Sequence, residues 1–279
     1  MAFSILNNIA GINAQNQLNL NSVNLNRTLL RLSSGKRINS GADDAAGLGI
    51  ADNLRANVRA LDQAVRNAND AISVAQIADG ALQEISNLLT RGFSLAEQAA
   101  TDTVDSAGRT ALNNELTSIK NEITRIATQT NYNGVALFTA AGLNGSLSVF
   151  VGDTSAASSI AVTFAVITTT SVGGVDISGT SLATDTGAAS AITTLKNSLA
   201  GISTARADLG AGMNRLQSAV SVLQNMSQNT LAAESAIRDA NMAEEIANMT
   251  KYQILAQSGI AALSQANASS QSVLALLRQ

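Results

Sequence analysis

The 279-residue chain contains no cysteine, no histidine and no proline. Without cysteine there is no disulfide framework, no thiolate nucleophile and no cysteine-based zinc site. Without histidine there is no Ser-His-Asp triad and no imidazole base that titrates near neutral pH. The absence of proline suits long uninterrupted helices, because a proline inside a helix costs about 3 kcal/mol. We therefore expect a helical protein with no cofactor and no metal, and we do not expect an enzyme.

Charge is also scarce. Charged residues make up 13% of the chain, about half of the share usual in soluble proteins. The net charge is -3, which argues against a general nucleic-acid-binding surface. No apolar run approaches the roughly 18 residues of a membrane span. The first residues, MAFSILNNIAGINAQ, lack a basic segment, so we expect no cleaved secretion signal.

All of the few charged residues except Arg278 lie in the middle of the chain. Residues 1–26 and 252–277 contain no ionised side chain. Both stretches have a 3.5-residue repeat, which is typical of a coiled-coil seam. The first seam consists of Ile5, Ile9, Ile12, Asn16, Asn19, Val23, Asn26 and Leu30. The second consists of Met242, Ile246, Met249, Gln253, Ala256, Ile260, Leu263, Asn267, Ser270, Leu274 and Leu277.

An antiparallel pairing of these two seams is our hypothesis for the ends of the chain. It places Ile5 and Ile9 near Leu277 and Leu274, and Asn16 and Asn19 near Asn267 and Ser270. A polar layer would then face a polar layer and fix the register at some cost in stability.

The outer faces of these end helices are uncharged too, and residues 1–26 carry ten Asn or Gln. Because a solvated helix normally shows Lys and Glu on its free face, we expect these helices to be surrounded by other helices. Amides can form hydrogen bonds there without the desolvation cost of an ion. A polymer of identical chains would supply such neighbours. The alternative is that the two ends are disordered tails. The two interpretations are compatible if the tails fold only upon assembly.

The middle of the chain predicts three further helices and a small β insertion. The helices are expected near residues 57–100, 106–128 and from 191 onward, and their apolar stripes are interpreted as plain core. Gly92, Gly210 and Gly212 lower helix propensity by about 1 kcal/mol each without ending the helices. Alternating residues in 147–151 and 160–166 predict strands, with turns at 152–153 and 173–174. A disordered polar loop is the alternative for this region.

The segment SSGKRINSGADDAAGLGIAD, residues 33–52, joins two of the helical patterns. Its Gly-x-Gly lacks the third glycine and the preceding strand of a dinucleotide site. Asp43 and Asp44 form an adjacent carboxylate pair after Lys36 and Arg37, but no matching metal ligands occur elsewhere. We therefore expect these residues to cap helices and form salt bridges between subunits.

Several long motifs resemble the bacterial flagellins, in the order found in that family. LRLSSGKRINSGADDAAGLGIADNLR (30–55) is similar to the N-terminal signature, and TNYNGVALF (130–138) to the turn that closes the first helical hairpin. IRDANMAEEIANMTKYQILAQSGIAALSQAN (237–267) and VLALLR (273–278) resemble the C-terminal signature. The similarity covers about residues 1–138 and 190–279.

The resemblance implies a mainly α fold: a long antiparallel helical coiled-coil rod with a small β-hairpin insertion and a discontinuous inner domain made of both termini. Residues 1–33 plus 251–279 would be inner helices, disordered until assembly. Residues 34–140 plus 191–250 would form the helical rod, and 141–190 a small β tip in place of a large outer domain. Family members commonly have Pro after the QAN motif, where Ala268 stands here, so the last helix is expected to run straight through.

The resemblance also implies a function: a structural subunit that polymerises into the helical flagellar filament, outside the cell, for swimming motility. Export would use the flagellar type III apparatus without signal cleavage. Implied partners are other copies of the chain, an export chaperone, cap and junction proteins, and the animal Toll-like receptor for flagellin. The receptor patch matches Arg91, Leu95 and Glu115. The expected subunit-interface residues are Ile5, Ile9, Ile12, Asn16, Val23, Ile260, Leu263, Asn267, Leu274, Leu277, Arg37, Asp43 and Asp44.

Three alternatives remain open at this point. A hook–filament junction protein has similar terminal helices, although that family typically places Pro after the Asp-Asp pair, where Ala45 stands here. A hydrolase would need the pair Asp43-Asp44 or Glu244-Glu245 to act without base partners. A membrane-active amphipathic protein should carry Lys and Arg on its polar helix faces, and the terminal stretches have none.

Overall fold

Five helices account for most of the chain. A computed structural model describes residues 8–139, 142–143, 145–152, 159–167 and 171–276. The helices are α1 (Ile9–Ser34), α2 (Ala45–Ala99), α3 (Ser106–Gln129), α4 (Asp185–Arg238) and α5 (Met242–Leu276). They confirm the mainly α fold that composition and periodicity predict.

The helix boundaries follow from local chemistry. The Asn8 carboxamide oxygen accepts a hydrogen bond from Gly11 N at the start of α1, and Asp105 does the same for Gly108 N at the start of α3. Helix α1 ends at Gly35, whose φ of +69° is the left-handed conformation that glycine adopts without strain. Helix α5 continues past Ala268, as the missing proline predicts.

Three short antiparallel strand pairs complete the described structure. They are β1 (Asn131–Tyr132) with β2 (Val135–Ala136), β3 (Ser146–Phe150) with β4 (Ser159–Thr163), and β5 (Ser171–Val172) with β6 (Val175–Asp176). The β3–β4 pair confirms the predicted insertion, with Val149 opposite Ile160. Gly173 and Gly174 form the turn between β5 and β6, as expected, while residue 153 of the other predicted turn lies outside the described residues.

The chain divides into two compact units. One takes the ranges Met1–Ala56 and Asn229–Gln279, and the other takes Asn57–Gln228. The first, which we call the terminal unit, is discontinuous in sequence, and we call the second the central unit. This division follows compactness alone, and the predicted three-part organisation with inner helices at 1–33 and 251–279 stays a prediction.

The central unit contains an extended apolar core. Its helices contribute buried aliphatic residues spaced three or four apart, among them Leu82, Ile85 and Leu89 on α2, Leu116 and Ile123 on α3, and Leu195, Ile202 and Leu209 on α4. Val149 of β3 and Val162 of β4 belong to the same core. The stripes interpreted as plain core from the sequence are therefore core, and Gly92 lies inside α2 against Leu116.

Candidate subunit-interaction surfaces

Helices α1 and α5 pair antiparallel in the terminal unit. Asn8 Nδ2 donates hydrogen bonds to Ala266 O at 3.2 Å and to Asn267 Oδ1 at 3.3 Å. At the other end of the pair, Arg31 Nη1 lies 3.4 Å from Glu245 Oε1. The hypothesis that the two ends of the chain pair antiparallel is therefore confirmed.

The register of the pair differs from the predicted one. Asn267 contacts Asn8 rather than Asn16, and Leu18 packs beside Gly259. The predicted alignment of Asn16 with Asn267 is wrong by about two helical turns. It aligned polar positions with each other, whereas in the structure small residues allow close helix approach, and ions pair at the charged end.

The face of α1 that is turned toward α5 is also not the predicted seam. Between Gly11 and Thr28 its buried and half-buried members are Gly11, Ala14, Leu18, Asn21, Asn24, Leu25 and Thr28. The predicted seam residues of α1 lie on the opposite side: Ile9 is 64% exposed, Ile12 is 52% exposed, and Asn16, Asn19, Val23, Asn26 and Leu30 are exposed too. Ile5 lies outside the described residues. Both stripes have the same 3.5-residue spacing, so periodicity alone could not tell which one faces α5.

We call the stripe Ile9, Ile12, Asn16, Val23 and Leu30, together with exposed Leu20, the free stripe of α1. Residues 8–26, the segment that contains every member of the stripe except Leu30, carry no charge. Up to Arg27, the stripe is a solvent-facing row of large aliphatic side chains without a charged neighbour, which is typical of a surface that other chains cover. The free stripe is therefore the strongest candidate interaction surface of the terminal unit.

Helix α5 is apolar on more than one side. Leu263 is half-buried on the side facing α1, while Ile260 is 56% exposed. Met242, Ile246 and Ile254 are also exposed. An apolar surface distributed around a helix is typical of a helix with neighbours on several sides. Leu274 lies within α5, but its side chain is outside the described part of the structure. Leu277 lies wholly outside the described residues.

The loop between α1 and α2 is held by the end of α4. Arg37 N donates to Arg238 O at 2.7 Å, and Ala240 N donates to Gly35 O at 2.9 Å. The exposed Arg37 guanidinium donates to Ile237 O at 2.8 Å. In the structure Arg37 thus contacts its own chain, and its expected role in a salt bridge between subunits stays a prediction.

The two adjacent aspartates cap local structure. Asp43 Oδ2 accepts hydrogen bonds from Ser40 N at 3.1 Å and Asn39 N at 3.2 Å, which lower the pKa of its carboxyl. Asp44 Oδ1 accepts from Gly47 N at 2.9 Å at the start of α2. The expected helix capping is confirmed, and both carboxylates are occupied by structural hydrogen bonds rather than arranged for hydrolysis.

An ion network that sequence reasoning missed joins α2 to α4 inside the terminal unit. Arg55 donates to Glu234 Oε1 through Nη2 at 2.6 Å and through Nε at 3.0 Å. Arg238, itself nearly buried, lies 3.3 Å from Asp52. The sequence signal was the i,i+4 spacing of Glu234 and Arg238, but their partners are about 180 positions away and have no local signature.

The three residues of the expected receptor patch differ in solvent exposure. Arg91 and Glu115 form an exposed ion pair, with Arg91 Nη2 at 2.8 Å from Glu115 Oε1. Leu95 is 1% exposed and belongs to the core of the central unit. The placement of Leu95 on a receptor-binding surface is corrected: one turn beyond Arg91, it faces inward.

No group of three or more acidic side chains that could hold a metal ion occurs in the part of the chain that the structure describes. None of the described helices is long and apolar enough to cross a membrane. The paired helices and their uncharged outer stripes define a structural, helix-forming protein whose surfaces suit association with other chains.

The comparisons with known proteins specify this class. A model of the bacterial flagellin N-terminal helical region matches residues 5–142, and one of the C-terminal helical region matches residues 192–277. A flagellin of Halalkalibacterium halodurans is 37% identical over 98% of this chain and 99% of its own length. A 30.7 kDa flagellar filament core protein of Treponema maltophilum is 35% identical over the same shares.

The chain belongs to the bacterial flagellin family and is a structural subunit of the flagellar filament. A solved structure titled as a putative flagellar hook-associated protein from Vibrio parahaemolyticus covers 71% of this chain and 100% of its own, with a TM-score of 0.59. At 13% identity this likeness shows the fold alone. The hook–filament junction alternative therefore gains no support.

Proposed function

We propose that the terminal unit carries the contacts that join subunits in the filament, and that the free stripe of α1 is its main contact surface. The observation that supports this proposal is that α1 has two apolar stripes, and α5 covers only one of them. Burying a large aliphatic side chain is worth about 1.5–3 kcal/mol. Only a neighbouring copy, placed along an open helical lattice, supplies the cover for the second stripe.

The same arithmetic explains why assembly and folding are coupled. Ordering a residue costs about 1–2 kcal/mol of backbone entropy. The covered face of α1, a helix of 26 residues, buries few large aliphatic side chains, so it offsets only part of that cost, and neighbouring subunits supply further stabilisation. We infer that the inner helices at 1–33 and 251–279 order fully only when the subunit enters the filament.

Introducing one charged side chain into the free stripe tests whether the stripe is a subunit contact. Ile12→Lys is expected to abolish growth on filament seeds, because the lattice would have to bury an unpaired ammonium. Ile12→Val keeps the stripe apolar and should grow. Ile77→Lys places the same charge at another exposed isoleucine, in the central unit, and should also grow. Normal growth of Ile12→Lys, measured by electron microscopy of seeded samples, would refute the proposal.

Truncation provides an independent test. Removing residues 1–26 or 252–279 should leave the central unit folded, because its core lies within residues 57–228. Neither truncated chain should polymerise. Circular dichroism checks the fold, and sedimentation after seeding checks the polymer. Filaments from either truncated chain would contradict the assignment of the contacts to the terminal unit.

The exposed apolar residues of the end helices also suit the remaining expected partners and location. An export chaperone that shields the exposed side of α5 near Ile246 and Ile260 would keep subunits apart before export through the flagellar apparatus. Cap and junction proteins would contact the same end helices outside the cell. Loss of chaperone binding in Ile246→Lys, with binding retained in Ile77→Lys, is the expected result of a pull-down experiment.

The exposed Arg91–Glu115 pair supports a contact with the animal Toll-like receptor, through these two residues and not Leu95. In a reporter-cell assay, Arg91→Ala should lower the signal from the monomeric protein. An equal signal from the variant would remove Arg91 from the receptor surface.

A further inference from the structure

The seam between α1 and α5 is unusually polar for a buried helix contact. Asn21 is 5% exposed and Thr28 is 4% exposed, one heptad apart on the side of α1 that faces α5. Leu18 and Leu25 are the large aliphatic residues between Gly11 and Thr28 on this face, and the rest of it is small or polar. The contact therefore buries two polar side chains where apolar ones would pack.

Neither polar side chain hydrogen-bonds to another described residue, although the polar atoms of both stay within reach of solvent. The facing helix shows a related feature, because Glu245 is 7% exposed and its Oε2 has no partner among the described residues. A polar residue at a nearly buried position of a helix contact lowers stability relative to an apolar one.

The central unit treats its buried hydroxyl groups differently. Ser198, which is fully buried, donates to Thr194 O at 2.9 Å. Thr180 donates to Ile177 O at 2.7 Å. The buried hydroxyls of these two residues are thus hydrogen-bonded, whereas Asn21 and Thr28 at the α1–α5 contact form no side-chain hydrogen bond within the described residues.

We propose that Asn21 and Thr28 are specificity residues of assembly: they keep the α1–α5 seam weak in the free subunit, so that the hairpin closes stably only beside other subunits. This inference rests on the proposed function, since it concerns the same terminal unit. An all-apolar seam would close the hairpin in isolation and present the ordered free stripe to solvent. Such a continuous apolar surface associates without regard to partner, so free subunits would pair with each other instead of joining a growing end.

Two nearly isosteric substitutions in the full-length chain test the inference. Asn21→Leu and Thr28→Val remove the polar group and keep the volume. In the free subunit, hydrogen exchange of the α1 amides should become about tenfold slower, because an apolar side chain replaces a polar one at a nearly buried contact position. Exchange in α3, inside the central unit, should not change, which verifies that the variants fold.

Assembly should change in the opposite direction. Both variants should form seed-independent oligomers, measured by light scattering, at subunit concentrations several-fold lower than the unmodified chain, and should elongate seeds more slowly. Thr28→Ser keeps the hydroxyl and should behave as the unmodified chain does. Asn13→Leu makes the same change as Asn21→Leu at an exposed position of α1 outside the free stripe and should leave exchange in the free subunit unaltered.

The results separate this inference from the proposed function. If Asn21→Leu and Thr28→Val leave α1 exchange unchanged, or if they slow it while seeding and seed-independent association stay normal, the specificity role is overturned. Neither result affects the role of the free stripe, which is tested separately by the growth of Ile12→Lys on seeds. Normal growth of Ile12→Lys would instead overturn the proposed function, whatever the seam variants do.

Discussion

Arg31 of α1 and Glu245 of α5 form an ion pair 214 positions apart, with Nη1 and Oε1 separated by 3.4 Å. Glu245 lies in the first turn of α5 and Arg31 in the last turn of α1. Each charge therefore complements the dipole of its own helix as well as its partner. Together with the Asn8–Ala266 hydrogen bond at the far end, this pair fixes one register for the whole contact.

The register can be tested by disulfide crosslinking, because the chain contains no native cysteine. The Leu18→Cys, Gly259→Cys double variant is expected to form an intramolecular disulfide, since Leu18 packs directly beside Gly259. The Asn16→Cys, Asn267→Cys double variant represents the register expected from the sequence and should remain reduced. Gel mobility under non-reducing conditions distinguishes the two, and the reverse pattern would contradict the structure.

The Arg55–Glu234 contact should be a main source of stability in the terminal unit. Glu234 is largely buried and accepts two hydrogen bonds from one guanidinium. Glu234→Gln is expected to lower the free energy of unfolding of the terminal unit by about 1–3 kcal/mol, because it weakens a charge-assisted pair and leaves Arg238 poorly balanced. Denaturant unfolding monitored by exchange of α5 amides measures the effect.

Glu122→Gln is the matched control for this prediction. Glu122 also pairs with an arginine, Arg125, but the pair is exposed and three residues apart on one helix. Exposed pairs of this kind contribute about 0–1 kcal/mol. A loss as large as that of Glu234→Gln would show that burial is not the deciding factor.

The helices and the β3–β4 hairpin were predictable from the sequence because their signals are local. Apolar spacing locates α3 and α4, and the alternation at 147–151 locates β3. The side of α1 that meets α5 was not predictable, since its two stripes have equal periodicity. Choosing between them depends on how closely Gly259 lets the backbones approach and on distant ion pairs such as Arg31–Glu245, and neither leaves a pattern within either segment.

A glycine contact in the central unit should be intolerant of any side chain. A Cβ placed on Gly201 of α4 would lie 2.1 Å from Gly173 O in the β5–β6 turn, where Gly173 has a φ of +60°. Gly201→Ala is therefore expected to destabilise the central unit by about 1–3 kcal/mol, because turn and helix must separate. Thermal unfolding measures the loss.

Gly210→Ala provides the comparison for Gly201→Ala. It lies in the same helix, and a Cβ there would meet no atom within 4 Å. Alanine favours a helix over glycine by up to about 1 kcal/mol, so Gly210→Ala should raise stability slightly. Equal destabilisation by both substitutions would indicate a general effect on α4 and not a specific contact with Gly173.

Asp43 should make the terminal unit sensitive to acid. Hydrogen bonds from Ser40 N and Asn39 N lower the pKa of its carboxyl below the ordinary value of 3.8. A carboxyl whose pKa is lower in the folded state than in the unfolded state stabilises the fold above the unfolded pKa. That contribution is lost as the pH falls from about 4 through the folded pKa.

The titration midpoint of Asp43, followed by NMR of its side-chain carboxyl, should therefore lie below 3.8. Asp43→Ala removes this acceptor, so the stability of the terminal unit should depend less on pH below about 4 than in the unmodified chain. Asp176→Ala, which removes a similarly bonded carboxyl from the central unit, should leave the acid sensitivity of the terminal unit intact. A midpoint for Asp43 at or above its ordinary value would mean that the two backbone donors do not hold the carboxylate in solution.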